Sequence, residues 1–333
     1  MRLGLIGLGR IGAFHAQTLT ALPVVDSLVV TDAVAALTAE VADRLGAEAA
    51  DSPDALLKSG VDGVLIAAST DAHPELIIAA VDAGLPLFCE TPLAPTIAEG
   101  VEVLRRVQAA EVPVQIGYQR RFDVAFQAAH DAAAAGELGW LHTVRSTTLD
   151  PAHPTPEYVA VSREVFRDCG VHDFDIIRWV TGREVVEVYT TGSNRRAEFF
   201  AAAADVDTSA VVLTLDDGTL ALVSNSRCNQ RGYDVRLELH GSKDSIAVGL
   251  DKKLPLRSVE PLATFPTGVP HRHFMERFLA AYKAELEVFA ELVVGDHFPP
   301  CTVADALEAD LIAEACRLSL REHRPVRMEE VRP

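Results

Sequence analysis

The sequence predicts an α/β protein in two parts, a doubly wound parallel sheet at the N-terminus followed by a region built on a mostly antiparallel sheet. Three observations carry this. Over the first 118 residues, short apolar runs alternate with helical patterns, as a parallel sheet covered by helices on both faces requires. After about residue 120 the runs become longer and β-rich, and a chain of 333 residues exceeds one comfortable hydrophobic core.

In order, the first region offers strands at Leu3–Gly7, Leu28–Thr31, Val64–Ala68, Leu87–Cys89 and Val114–Gly117. Pro74 suits the first turn of a helix whose Leu76, Ile77, Ala80 and Val81 recur at helical spacing, and Gly84 suits its C-terminal cap. The second region offers strands at Val185–Thr190, Ala210–Leu215, Leu220–Ser224 and Val235–His240. Asp216, Asp217 and Gly218 supply a tight turn between two of them. A helix is expected from about His273 to Val294, with Phe274, Phe278, Ala281 and Phe289 on one face, and the alanine runs 132–135 and 201–204 read as helix filler. The boundary falls between residues 119 and 120, with the C-terminal segment able to pack back on the first part.

The strongest local signal is GLGRIG, Gly7 to Gly12, set between the first strand and a helix beginning near Ala13. Gly7 serves the turn, Gly9 lets backbone approach a pyrophosphate, and Gly12 allows helix to pack on strand, while the helix N-terminus faces the phosphates. Twenty positions beyond Gly12, at the end of the second strand, stands Asp32. A carboxylate there suits the adenosine ribose hydroxyls and repels a 2′-phosphate, and residues 33–43 carry no Arg or Lys, which favours NAD over NADP. An Asp capping the next helix would use the same position.

Composition excludes several classes. Hydrophobic residues make up 49% and charged residues 23%, as in a globular protein, and no window approaches the roughly 20 uninterrupted apolar residues of a membrane span. The opening residues MRLGLIGLG enter a strand at once without an export leader, so a cytoplasmic location is expected. A net charge of −18 argues against a nucleic-acid partner. The five cysteines are scattered, without the close pairs of a zinc site or a disulfide frame, and read as reduced thiols.

At this point the chain resembles the glucose–fructose oxidoreductase/inositol dehydrogenase/rhizopine-catabolism family, and within it the inositol 2-dehydrogenase branch. The matching stretches are GLGRIG, residues 68–93 ending in FCETPL, GYQRRFD at 117–123, residues 150–179 containing FRDCGVHDFD, and GYDVRLELHGS at 232–242. The resemblance implies an N-terminal Rossmann domain and a C-terminal α/β domain whose open, mostly antiparallel sheet often mediates oligomerisation, here as a homodimer or homotetramer. It implies NAD contacts at Gly7, Gly9, Arg10, Ile11, Gly12, Asp32, Ser69, Thr70, His73 and Glu90. It also implies a site completed by an Asp-x-x-x-His pair, matched by Asp168 and His172, and by a lysine after Glu90. That lysine is absent: Thr91 stands in its place.

Oxidising a secondary alcohol sends a hydride to nicotinamide while a base takes the hydroxyl proton. His172 can be that base with little tuning, and Asp168, one helical turn earlier, can orient the imidazole or hold a substrate hydroxyl. From spacing alone an i,i+4 Asp/His pair is more often a surface interaction, and a metal reading of Asp168, His172, Asp173 and Asp175 has no ligand motif behind it. Arg120 and Arg121 offer hydrogen bonds to vicinal hydroxyls or a structural clamp between domains, and Asp150, His153 and Tyr233 are weaker substrate-binding candidates. His271 and His273 read as a solvated turn. A polyol, either a cyclitol or a sugar, fits such a ring. Thr91 brings no charge to the reacting oxygen. An altered dehydrogenase, a sensor or pathway partner that binds NAD and polyol without turnover, and a substitution introduced on purpose to trap a complex therefore all remain open.

Overall fold

The computed structural model describes residues 1–159, 164–195, 197–295 and 297–333. They form two compact units, Met1–Gln119 with Tyr282–Leu307, and Arg120–Ala281 with Glu308–Pro333. Among the described residues no helix is long and apolar enough to cross a membrane.

The first unit holds a six-stranded sheet made of β1 (Arg2–Ile6), β2 (Ser27–Thr31), β3 (Glu48–Ala49), β4 (Gly63–Ile66), β5 (Leu87–Cys89) and β6 (Val114–Ile116). Its order is β3-β2-β1-β4-β5-β6, and every neighbouring pair is parallel. Apart from the exposed edge strand β3, the strands are buried along nearly their whole length, which is why they read as unbroken apolar runs rather than alternating ones. Leu3, Leu5, Val30, Leu65 and Phe88 pack with Ala16 and Leu19 of the helix Arg10–Thr20 and with Leu286, Phe289 and Leu292 of the helix Leu279–Val293. The helix His73–Asp82 ends as its sequence demands: Gly84, at φ +71°, and Leu85 donate to Val81 O and Ala80 O.

The second unit holds a seven-stranded sheet made of β7 (Leu141–Leu149), β8 (Val185–Ser193), β9 (Thr208–Leu215), β10 (Leu220–Ser226), β11 (Asp234–Gly241), β12 (Ser245–Val248) and β13 (Val326–Arg327). Its order is β12-β11-β7-β10-β9-β8-β13, antiparallel throughout except where β7 runs parallel to β10. The turn from Leu215 to Thr219 closes the β9–β10 hairpin. Central β7 escaped the pattern reading because LHTVRSTTL carries few apolar residues, and the inward-facing positions include Ser146 and Thr148.

Those two hydroxyls are inside because a charge is inside with them. Asp173, fully buried on the helix Val171–Thr181, accepts at Oδ1 from Ser146 Oγ (2.6 Å), Thr148 Oγ1 (2.8 Å) and Arg120 Nη1 (2.8 Å), and at Oδ2 from Asn225 Nδ2 (2.8 Å). Two residues on, Asp175 receives Arg121 through Nε (3.0 Å) and Nη2 (2.5 Å). The expected helix from His273 begins as the short turn Phe274–Arg277, capped by His273, and resumes at Leu279 after Phe278 leaves helical geometry.

Removing one partner of such a pair strands the other charge in the interior. Asp173→Ala is expected to cost about 3–5 kcal/mol, and the double change Arg120→Met with Asp173→Leu to cost clearly less. Urea unfolding of the variants measures both, and a mild Asp173→Ala effect would contradict this account.

Candidate functional site

Each unit contributes its own set of groups. In the first, the order of the sheet reverses between β1 and β4, and the crevice at the carboxyl ends of strands beside such a reversal is where α/β sheets bind ligands. The glycine turn leaves β1 there, while Ser69, exposed, and Thr70, half-buried, follow β4.

The turn tests well against a dinucleotide. Gly7 has φ +93°, and a Cβ on it would lie 2.5 Å from Ala68 N, so only glycine fits. A Cβ on Gly12 would lie 2.0 Å from Gly7 O, so helix and strand approach as closely as this motif needs. At Gly9 an added Cβ would meet nothing within 4 Å, leaving open space where a phosphate must come close. Gly9 is also the N-cap of the helix Arg10–Thr20 and gives it no side-chain cap, so the positive helix end is left for an anion. Ile11 is half-buried and Arg10 exposed in that first turn. Asp32 braces the turn, accepting from Leu8 N–H at Oδ2 (2.7 Å) and from Val34 N–H at Oδ1 (2.8 Å). Each oxygen keeps a lone pair, so the carboxylate can still receive ribose hydroxyls.

Two residues assigned to the cofactor turn inward. His73 is buried, with Nδ1 2.8 Å from Pro92 O and Nε2 3.1 Å from Ala68 O. Burial pushes its pKa down and the two carbonyl oxygens pull it up, and the ring sits between the exit of β5 and the exit of β4. Glu90 lies with Oε1 2.5 Å from Nε2 of fully buried His15. Behind them burial, reinforced by Glu90, holds the Glu285 carboxyl well above the usual carboxylate range. His73 and Glu90 thus shape the loop that presents Thr91, which is half-buried and uncharged.

In the second unit, a π-helical turn, Phe166–Gly170, leads into the helix Val171–Thr181 and carries Asp168, while His172 sits half-buried on the helix's first turn. The widened turn changes what i,i+4 spacing implies. Asp168 Oδ2 meets Arg227 Nη1 at 2.5 Å, and Oδ1 accepts from the Tyr158 hydroxyl at 2.8 Å. Of the matching stretch 150–179, residues 160–163 lie outside the described residues.

Arg120 and Arg121 take the clamp geometry that the sequence offered as one of two readings. Their guanidinium groups are buried against Asp173 and Asp175, so they clamp the turn Gln119–Phe122 to the helix Val171–Thr181. Asp173 and Asp175 are thus engaged by arginines, and among the described residues no group of three or more His, Cys, Asp or Glu is placed to hold a metal ion. Asp150, at the end of β7, lies with Oδ2 3.5 Å from Cys169 Sγ and 3.6 Å from Arg227 Nη1. Burial pushes its carboxyl up, Arg227 pulls it down and Asp168 pushes it up again. Tyr233 is buried, and burial pushes its phenol up, with Arg120, Asp150 and Asp173 as its charged surroundings. His153 stands apart: it lies edge-on to Phe200 (5.4 Å) and lines a cleft of about 310 Å³ with Arg195, Asp207, Ser226, Cys228 and Gln230.

Sequence reasoning missed Arg227 and Tyr158. Arg227 sits in NSRCNQRGYD just past β10 with no spacing to mark it, and Tyr158 is one aromatic in the short helix Pro156–Val159 that follows a proline-broken loop.

Comparison with known proteins agrees along the whole chain. Residues 1–118 match the model of the oxidoreductase family with an NAD-binding Rossmann fold, and residues 126–247 match the GFO/IDH/MocA C-terminal domain. The chain is 36% identical to myo-inositol 2-dehydrogenase of Thermotoga maritima, over 99% of each chain. The crystal structure of a probable dehydrogenase from Thermotoga maritima superposes with a TM-score of 0.92 at 35% identity, over 100% of both chains. That of scyllo-inositol dehydrogenase from Lactobacillus casei, with bound NAD(H) and scyllo-inositol, gives 0.89 at 27%, over 99% of each chain. The chain belongs to the glucose–fructose oxidoreductase/inositol dehydrogenase/rhizopine-catabolism family of oxidoreductases.

Proposed function

We propose that the protein is an NAD-dependent dehydrogenase of an inositol-like cyclitol, acting on one secondary hydroxyl. The observation that carries this is the glycine turn of the first unit, shaped for a pyrophosphate, in a chain similar over 99% of its length to a myo-inositol 2-dehydrogenase. Nicotinamide, when bound, supplies the hydride acceptor. The open face at Gly9 and the uncapped start of the helix Arg10–Thr20 hold the phosphates, and Asp32 receives the ribose hydroxyls. Ser69 and Thr70 line the same carboxyl edge of the sheet.

His172 is the base that takes the hydroxyl proton, since an imidazole exchanges protons near neutral pH. Asp168 and Asp150 accept from neighbouring hydroxyls of the ring, and Tyr233 closes the set beside Asp150. Thr91 hydrogen-bonds to substrate without adding charge.

The protein acts in the cytoplasm as a homodimer or homotetramer. Support for assembly comes from the outward face of the second sheet, where Tyr189, Val212 and Leu222 pair across β8, β9 and β10 and are 44%, 36% and 41% exposed. Leu220, 47% exposed, extends that apolar face, which a second copy would cover. Light scattering on the Tyr189→Glu, Leu222→Glu variant should report a smaller species than the native chain; an unchanged mass would remove this surface from the interface.

Turnover is tested by NAD reduction over a panel of inositol isomers and hexoses. His172→Ala should lower kcat by about 10²–10⁴-fold with NADH binding intact. Binding of NADH and polyol together, with no turnover on any member of the panel, would replace the enzyme by a sensor. Thr91→Lys should raise the rate about tenfold or more if that position meets the reacting oxygen, because one well-placed electrostatic group contributes on the order of 10².

A further inference from the structure

The buried guanidinium groups of the second unit fall into two kinds. Arg120, Arg121 and Arg167 lie against Asp173, Asp175 and Asp310 in the interior. Arg227, its side chain only 3% exposed, faces two carboxylates on different segments, with Nη1 2.5 Å from Asp168 Oδ2 and 3.6 Å from Asp150 Oδ2. The same carboxylates are held from their other sides, Asp168 by the Tyr158 hydroxyl at 2.8 Å and Asp150 by the Cys169 thiol at 3.5 Å. Meanwhile Arg227 Nε and Nη2 are buried and meet no acceptor among the described residues. Buried donors left unmet are destabilising, so this guanidinium sits where the two carboxylates need it rather than where its own hydrogen bonds are complete.

Resting on the reading of the protein as a polyol dehydrogenase, we infer that Arg227 is a positioning residue: it draws Asp150 and Asp168 together so that they present acceptor oxygens to adjacent ring hydroxyls. Without a cation between them, two carboxylates facing the same charge repel, and one takes a proton. A protonated carboxyl loses acceptor capacity toward a hydroxyl. Arg227 acts through these two residues and makes no contact with the reacting carbon.

The group that reports this is Asp150. Facing it are Arg227 from the segment after β10, Asp168 and Cys169 from the π-turn, and Tyr233 immediately before β11. Of the charges among them, Arg227 is the one that favours its ionised form. Arg227→Gln therefore raises the pH at which Asp150 ionises.

The test uses the full chain, with Arg227→Gln and Arg227→Lys beside the native protein. The readouts are ¹³C-carboxyl NMR titration of Asp150, assigned through Asp150→Asn, NADH affinity by fluorescence, and kcat and KM for the most active inositol isomer across pH. Arg227→Gln should move the Asp150 titration and the acid limb of kcat/KM up by about one pH unit. It should raise the polyol KM about tenfold, leave NADH affinity unchanged, and be largely rescued by Arg227→Lys, which restores the charge. An Asp150 titration unmoved in Arg227→Gln, or equal loss of melting temperature in both variants with unchanged polyol KM, overturns the inference. If the native chain turns over no polyol while the Asp150 shift appears, the dehydrogenase reading fails and the positioning role stands.

Discussion

The second unit is organised around one buried carboxylate. Asp173 has no exposed surface, yet it gathers hydrogen bonds from Arg120, Ser146, Thr148 and Asn225, which lie on the Gln119–Phe122 turn, on β7 and on β10. An ionised carboxylate is tolerated at such a depth only when its lone pairs are met and its charge is balanced, and here both conditions hold. The consequence is geometric: the helix that bears Asp173 bears His172 one residue earlier, so the clamp that satisfies the charge also fixes the start of the helix under the proposed base. Asp175 and Arg121 repeat the arrangement half a turn further along.

The first unit depends on absence of bulk rather than presence of charge. Gly7 and Gly12 let the opening helix lie against the turn out of β1, and any side chain at either position would meet backbone at 2.5 Å or less. The remainder of that crevice is positioned from within: His73 and Glu90 spend their polar atoms on backbone and on His15, which settles the loop leading to Thr91. The two units thus reach precision by different means, close backbone packing in one and a neutralised interior ion cluster in the other.

Much of this was legible in the chain. The five strands read from apolar runs in the first region all exist, with ends shifted by at most two residues, and the helix after Pro74 stops at the predicted glycine. β7 was invisible because its inward residues serve Asp173 instead of an apolar core, which erases the alternation that marks a half-buried strand. For Arg120 and Arg121 the sequence left two readings, substrate donor or structural clamp, because arginine in a polar motif has the same composition whether it meets a ligand or an aspartate; the structure places them against Asp173 and Asp175. Asp168 and His172 were found through their motif, but the motif did not reveal that Arg227 and Tyr158 hold Asp168.

By itself, then, the order of residues settled whatever depends on near neighbours: strand and helix period, the turn that only glycine can make, the cap that ends a helix. These are properties of φ, ψ and a few consecutive side chains, and they are written locally. The tertiary structure alone decided which arginine answers which carboxylate, since an ion pair is set by separation and burial in space and not by distance along the chain. Arg227 comes to Asp168 and Asp150 only once β7, β10 and the π-turn have been brought side by side.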